Sequence, residues 1–229
     1  MLRSLYKMCL EYKNNSTENI NINKKLFGYK YCNLLKEVNS DSLDVKGIPF
    51  ILSNTNNSNN IVVKVFPIEQ NKEYDISMIE INYLQLFTKE LLLGNISPNF
   101  PNMFSYFTNI PNKIKSLSHI NFDIYINIEN YSNILIYEYL VQRDIDIWYL
   151  NNYHLIDDSH WKSIIFQLCY TLSVLQDKYK FMHYDLHPGN VLIDNIISNG
   201  YIKFIFNENT FFLENKGIIP KIFDFEFSN

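Results

Sequence analysis

Residues 181–190 read FMHYDLHPGN and lead directly into the apolar run VLID. A plain turn between a helix and a strand accounts for Pro188 and Gly189, which break and redirect the chain. It does not account for two histidines, an aspartate and an asparagine within the same ten positions. Asp185 and Asn190 stand five residues apart, and both offer hard oxygen atoms just ahead of a strand pattern. Such oxygens suit Mg²⁺, which keeps several waters and takes one or two carboxylates together with substrate phosphates. Any fold of this chain has to present a polar, ligand-bearing loop at the mouth of a strand.

The flanking segments narrow the choice. From about 160 to 178, Trp161, Ile164, Ile165, Leu168, Leu172 and Leu175 recur on one helical face, and Asp158 or Ser159 is placed to cap its start. The spacing of Ile76, Ile79, Tyr83, Leu84 and Phe87 predicts a second helix over 73–93, ended by Gly94 and the breaker cluster SPNFP. Strand-like runs fill much of the rest. LFGYKYCNLL, GIPFILS and IVVKVFPI come first, the last two joined as a hairpin by the low-complexity NTNNSNN. FDIYINI and NILIYEYL precede the long helix; NVLID, YIKFIF, TFFLE and PKIFDFEF follow the polar loop, with a hairpin around NEN. A strand-rich part with one helix, then a helix and a loop flanked by short strands, predicts an α+β protein of two lobes. The boundaries read as a polar lead-in over 1–25, a first lobe over 26–140 and a second over 141–229.

Composition removes several classes of function. With 47% hydrophobic and 16% aromatic residues, the 229-residue chain can fill a core. Its net charge of -4 and lack of a long basic run exclude a dedicated nucleic-acid binder. Cys9, Cys32 and Cys169 form no CxxC pair, which argues against a disulfide framework or zinc cluster. The N-terminal MLRSLYKMCLEYKNN has too weak an apolar stretch for a signal peptide, and no run of about 18 apolar residues exists for a membrane span. The expected setting is therefore cytoplasmic, or the host cytoplasm or virion for a viral chain.

Further residues complete a phosphoryl-transfer parts list. Lys64, inside IVVKVF, can meet nucleotide phosphates if its stem is held, and Glu80 on the first helix can hold it as an ion pair. Asp224 adds a second carboxylate to Asp185 and Asn190, and one carboxylate can take the proton of an acceptor hydroxyl. Taken singly, Lys64 also reads as an edge-strand lysine, Glu80 as a helix surface charge, DFEF as a strand end, and His187 and His119 as surface polar residues.

In order, VVKV, a helix with Glu80, ILIYEYL, MHYDLHPGN and IFDFEF resemble the protein kinase superfamily: a VAIK lysine, a helix glutamate, a hinge, an HRDxxxxN loop and DFG. The resemblance covers roughly residues 40–229 and is similar in style to divergent serine/threonine kinases of large DNA viruses. It implies a bilobal kinase-like fold, ATP and Mg²⁺ as cofactors, and a protein substrate with a Ser or Thr acceptor. It further implies that Lys64 contacts phosphates and pairs with Glu80. Tyr137 would be the gatekeeper, and Glu138, Tyr139 and Leu140 the adenine-binding hinge. Asp185 would be the catalytic base, Asn190 and Asp224 the metal ligands, and His183 the structural histidine.

The departures are specific. Only six glycines occur and none makes GxGxxG, so the phosphate-covering loop falls within NSDSLDVKGIPF with Gly47 its only glycine. Tyr184 replaces the arginine before the catalytic aspartate, which speaks against control through a phosphate paired to that arginine. His187 stands where lysine is common, and Glu226 replaces the DFG glycine. Between Asn190 and Asp224 lie 33 residues, the excess falling in the 201–214 hairpin. The sequence stops at Asn229, so the resemblance implies an incomplete helical second lobe and leaves room for a partner chain that completes it. Two other functions stay open from sequence: a small-molecule kinase of the aminoglycoside or choline type, and an inactive pseudokinase-like binding module.

Overall fold

The computed structural model describes residues 29–34, 48–54, 60–68, 76–111, 131–140 and 144–228. They fall into two compact units. The first takes in residues up to Ile81 and Met103–Tyr139; the second takes in Asn82–Asn102 and everything from Leu140. Mixed helix and strand make an α+β chain.

The first unit is built on a five-stranded antiparallel sheet of order β1-β2-β3-β5-β4. The strands are β1 (Tyr29–Leu34), β2 (Ile48–Asn54), β3 (Asn60–Ile68), β4 (Met103–Pro111) and β5 (Tyr131–Glu138). β3 lies at its centre, and Ile61 to Phe66 are all buried. Six consecutive buried residues, four of them β-branched, belong to a strand covered on both faces. Beside it, Ile134, Leu135 and Ile136 of β5 are buried, and Asn133 donates from Nδ2 to Ser77 Oγ at 2.8 Å, tying β5 to the first helix.

That helix, α1 (Ile76–Leu86), begins in the first unit and continues in the second as a π-helical turn, Phe87–Leu92. The wide turn shows in the bond from Leu93 N–H to Thr88 O at 3.0 Å. Residues 73–75, where the predicted 73–93 helix starts, lie outside the described residues. The helix's buried residues are Ser77, Glu80, Ile81, Leu84, Phe87, Thr88 and Leu91, so Glu80 lies on the buried stripe and is no surface charge.

The second unit adds α2 (Ile145–Asn152), α3 (Asp158–Tyr179) and two short sheets, β6 (Val191–Asn195) with β9 (Ile218–Ile222) and β7 (Tyr201–Phe206) with β8 (Asn209–Glu214). Ile145, Trp148, Ile164, Val191, Ile193 and Ile218 form one apolar core, with Trp161 and Leu168 against it. Two expectations for α3 are corrected. Its cap is Asp157, not Asp158 or Ser159: the Asp157 carboxylate accepts from Ser159 N–H at 2.9 Å and His160 N–H at 3.1 Å. Hydrogen bonds from the Ser159 hydroxyl and then the His160 ring hold that carboxyl well below the usual carboxylate range. Ile165 is exposed, because the buried face runs through Ser163, Gln167 and Thr171 beside Ile164, Tyr170, Val174 and Leu175.

The β7–β8 hairpin turns on Asn207 and Glu208, both with positive φ (46° and 66°), the pairing of a two-residue type I′ turn. β9 ends at Ile222, so PKIFDFEF is not one strand: Asp224 takes a left-handed φ of 64° and the chain turns away. β4 and α2 had no counterpart in the sequence pattern. The 1–25 lead-in, NTNNSNN apart from its first and last residues, FDIYINI and Gly47 lie outside the described residues. No helix among the described residues is long and apolar enough to cross a membrane.

Candidate active site

In the first unit the site is an ion pair on a stiff support. Lys64 sits mid-sheet, opposite Pro49 of β2 and Leu135 of β5, so it is not an edge-strand lysine. Its Nζ donates to Glu80 Oε2 at 2.6 Å, with the two side chains 10% and 4% exposed. The ammonium also lies 5.0 Å from the Phe66 ring centroid, within cation–π range. A lysine stem is flexible and its entropy large; a buried carboxylate and an aromatic face fix where this one ends. At the end of β5, Tyr137 is buried opposite Val62 and Met103, Glu138 and Tyr139 are half-buried, and Leu140 is buried.

In the second unit, strand pairing brings distant residues together. β6 and β9 run antiparallel with Val191 opposite Ile222, and the ladder extends one step further, Phe223 N–H donating to Asn190 O at 3.2 Å. Asn190 and Asp224 therefore flank the same end of one two-stranded ribbon despite the 33 residues between them. Asn190 Nδ2 donates to the Asp185 carbonyl at 3.0 Å and reaches Asp185 Oδ2 at 3.4 Å. The amide nitrogen is thus committed to Asp185, and Oδ1 is the atom left to act as a ligand. The set of amide and carboxylate oxygens from Asn190 and Asp224 fits a hard divalent cation.

His183 locks the loop to the ribbon. Its Nε2 donates to Phe223 O at 3.1 Å, and its carbonyl accepts from Asp185 N–H at 2.8 Å and Ser228 Oγ at 3.4 Å. Burial pushes the imidazole down from 6.5, so the neutral ring is the form that packs here. Phe225, almost fully buried, lies 5.4 Å from the His183 ring and 5.2 Å from Phe87, and Phe181 and Phe100 close the same aromatic cluster. The DFEF segment is anchored through Phe225, its first phenylalanine, while Asp224 stays half-buried beside it.

The departures from the kinase pattern have local explanations. Glu226 does not take a positive φ, so the backbone there has no need of the glycine it replaces. Tyr184, in place of arginine, is exposed and has φ 57°, a strained conformation for a bulky residue directly before Asp185. His187 folds back so that Nδ1 accepts from Gly189 N–H at 3.1 Å. A Cβ on Gly189 would meet that ring at 2.8 Å, so a larger residue would have to displace the exposed His187 side chain and its bond. The other ring nitrogen, Nε2, then carries the proton and faces Asp185 Oδ2 at 4.0 Å.

One group of residues had no sequence signal beyond a breaker cluster. Asn99, fully buried, donates from Nδ2 to Pro220 O at 2.7 Å and Gln167 Oε1 at 3.2 Å. Its Oδ1 accepts from Thr171 Oγ1 at 3.0 Å and Ser97 Oγ at 3.1 Å, and its carbonyl accepts from Ile222 N–H at 2.9 Å. Local periodicity cannot reveal such a network, because its members come from three separate segments.

Comparison with known proteins gives the family. The model of the Haspin like kinase domain family matches residues 2–219. A protein named as a serine/threonine-protein kinase in Acanthamoeba polyphaga mimivirus is 39% identical over 66 residues, 27% of this chain and 17% of that protein. A second from the same virus is 25% identical over 138 residues, 54% of this chain and 30% of the relative. The serine/threonine-protein kinase tousled-like 1 of Caenorhabditis elegans is 34% identical over 94 residues, 39% of this chain and 10% of the relative. The chain thus spans less than a third of the length of each of these relatives. With the family model covering nearly its whole length, the chain belongs to the Haspin like kinase domain family, within the protein kinase superfamily.

Proposed function

We propose that the protein transfers a phosphoryl group from ATP to Ser or Thr hydroxyls of a protein. The observation that carries this reading is the junction of Asp185, Asn190 and Asp224 at one end of the β6–β9 ribbon, held by His183. Asp185 is the base: it orients the acceptor hydroxyl and takes its proton, help worth roughly 10²–10⁴-fold. Asn190 through Oδ1 and Asp224 through its carboxylate hold Mg²⁺, which supplies charge neutralisation at the nucleotide phosphates. Lys64, braced by Glu80, contacts those phosphates, and Tyr137 with Glu138 to Leu140 serve the adenine. In this reading the two compact units are the lobes of a bilobal kinase, with residues 82–102, which the 26–140 boundary put in the first lobe, belonging to the second.

The test is transfer from radiolabelled ATP, with Mg²⁺, to a library of Ser- and Thr-containing peptides, run beside aminoglycoside and choline acceptors. Asp185→Asn should abolish transfer to peptide while leaving nucleotide affinity within about twofold, since the base acts only in the transition state. Equal rates in variant and parent would remove Asp185 from the chemistry; label on the small alcohols alone would replace the protein acceptor.

A further inference from the structure

Strand β9 has two edges. Antiparallel pairing turns the backbone groups of alternate residues to opposite sides, and the Phe223 amide points toward β6. The groups of Ile218, Pro220 and Ile222 point the other way, to an edge no third strand covers among the described residues. Side chains and one loop backbone cover it instead. Gln167 Nε2 donates to Ile218 O at 3.2 Å, Asn99 Nδ2 donates to Pro220 O at 2.7 Å, and Asn99 O accepts from Ile222 N–H at 2.9 Å. Asn99 thus grips β9 twice, with its side chain and its backbone, at positions four and two residues before Asp224. The asparagine is itself held rigidly. Thr171 and Ser97 donate to Oδ1, Gln167 accepts from Nδ2, and Asn99, Gln167 and Thr171 are fully buried. Buried polar networks satisfied this completely define one arrangement and resist sliding.

We infer that Asn99 is a positioning residue for metal binding: it stands in for a third strand on the outer edge of β9 and so fixes where that strand delivers Asp224 beside Asn190. The inference rests on the reading of Asp224 as a metal ligand. Asp224 leaves the strand in a left-handed conformation, φ 64°. Its carboxylate is therefore aimed by the two residues before it, not by its own preference. β6 alone holds those residues from one side, and a ribbon held on one side twists freely; Asn99 removes that freedom. Its role passes through β9 and not through contact with nucleotide or acceptor.

The experiment compares parent, Asn99→Ala, Thr171→Val and Asp224→Asn by two measurements. The first is amide hydrogen exchange at Ile222 and Phe223 in the nucleotide-free chain, with Val174 and Leu175 in α3 as reference. The second is the Mg²⁺ concentration that half-saturates ATP binding, read by titration calorimetry. Asn99→Ala should speed exchange at Ile222 at least tenfold with little change at Leu175, and raise the Mg²⁺ midpoint at least fivefold. Thr171→Val, which removes one donor and keeps the side-chain shape, should move both in the same direction by about twofold and decides the matter if Asn99→Ala does not fold. Exchange that quickens equally across β9 and α3, with an unmoved Mg²⁺ midpoint, would reduce Asn99 to a general stabiliser and overturn the inference. If Asp224→Asn leaves the parent's Mg²⁺ midpoint unchanged, the ligand reading of Asp224 falls instead. Exchange at Ile222 then decides by itself whether Asn99 holds β9.

Discussion

Replacing Lys64 with methionine removes one charge from a pair in contact at 2.6 Å, whose side chains are 10% and 4% exposed. Two unit charges about 4 Å apart at an effective dielectric near 20 attract by about 4 kcal/mol. The larger consequence is that Glu80 stays in an environment shaped around a nearby cation. Removing one member of such a buried pair costs roughly 3–5 kcal/mol. Lys64→Met and Glu80→Leu are each expected to lose that much, lowering Tm by about 6–20 °C in a chain of this size. The double variant should behave differently. With both ions gone, neither desolvation penalty remains, and apolar side chains of similar volume can fill the space to within about 2 kcal/mol of the parent. The signature is thus strong non-additivity in a double-mutant cycle. Thermal unfolding of all four proteins, followed by circular dichroism without nucleotide, measures it. Single losses below about 1 kcal/mol that simply sum in the double variant would refute the buried pair.

Three further outcomes follow from the geometry. Asp224→Asn keeps a residue that tolerates the left-handed φ of 64°, so the fold should be unchanged while the Mg²⁺ needed for ATP binding rises at least tenfold; an unmoved requirement in a titration would count against the ligand role. His183 titrates below 6.5 in the folded chain because burial disfavours its charged form, so the unfolded chain binds more protons as the pH drops below 6.5. Its contribution to stability is present above that value and is lost on acidification, with a slope of at most about 1.4 kcal/mol per pH unit. Urea midpoints between pH 8 and 5.5 should show this fall, and His183→Gln should flatten it. Glu208→Gly relieves a left-handed non-glycine turn residue worth roughly 1–2 kcal/mol against a glycine entropy cost of about 0.5–1 kcal/mol. A small rise in Tm is expected, and a fall would contradict the type I′ turn.

Local pattern revealed much of the strand and helix framework and little of what holds the site. α3 shows through its three- and four-residue apolar spacing despite the exposed Ile165, the β7–β8 hairpin through two strand-like runs around NEN, and β3 through its β-branched run. β4 did not show because its register shifts between Met103 and Ser105 and again between Phe107 and Ile110. Bulges of that kind erase the two-residue alternation on which strand reading depends. The opposite error occurred at residues 223–227, where Phe223, Phe225 and Phe227 alternate as in a strand. The left-handed Asp224 breaks the strand, Phe225 goes into an aromatic cluster, and Phe227 stays exposed. The pairing of Lys64 with Glu80 was expected by family resemblance, and the geometry brings them together. Asn99 and Gln167 could not be found this way, since a buried asparagine in SPNFP and a polar turn look alike until the third segment is in place.

The ribbon that joins Asn190 to Asp224 has a consequence for how such chains change over time. The connection from Ile196 to Gly217 closes on a pair of strands that already meet. Lengthening a flexible closure costs little, about 0.6 kcal/mol for each doubling. Insertions at the Asn207–Glu208 tip are therefore nearly neutral, and a peptide tag or fluorescent label placed there should leave the ligand oxygens undisturbed. The number of residues between the two motifs is thus only loosely constrained by the fold.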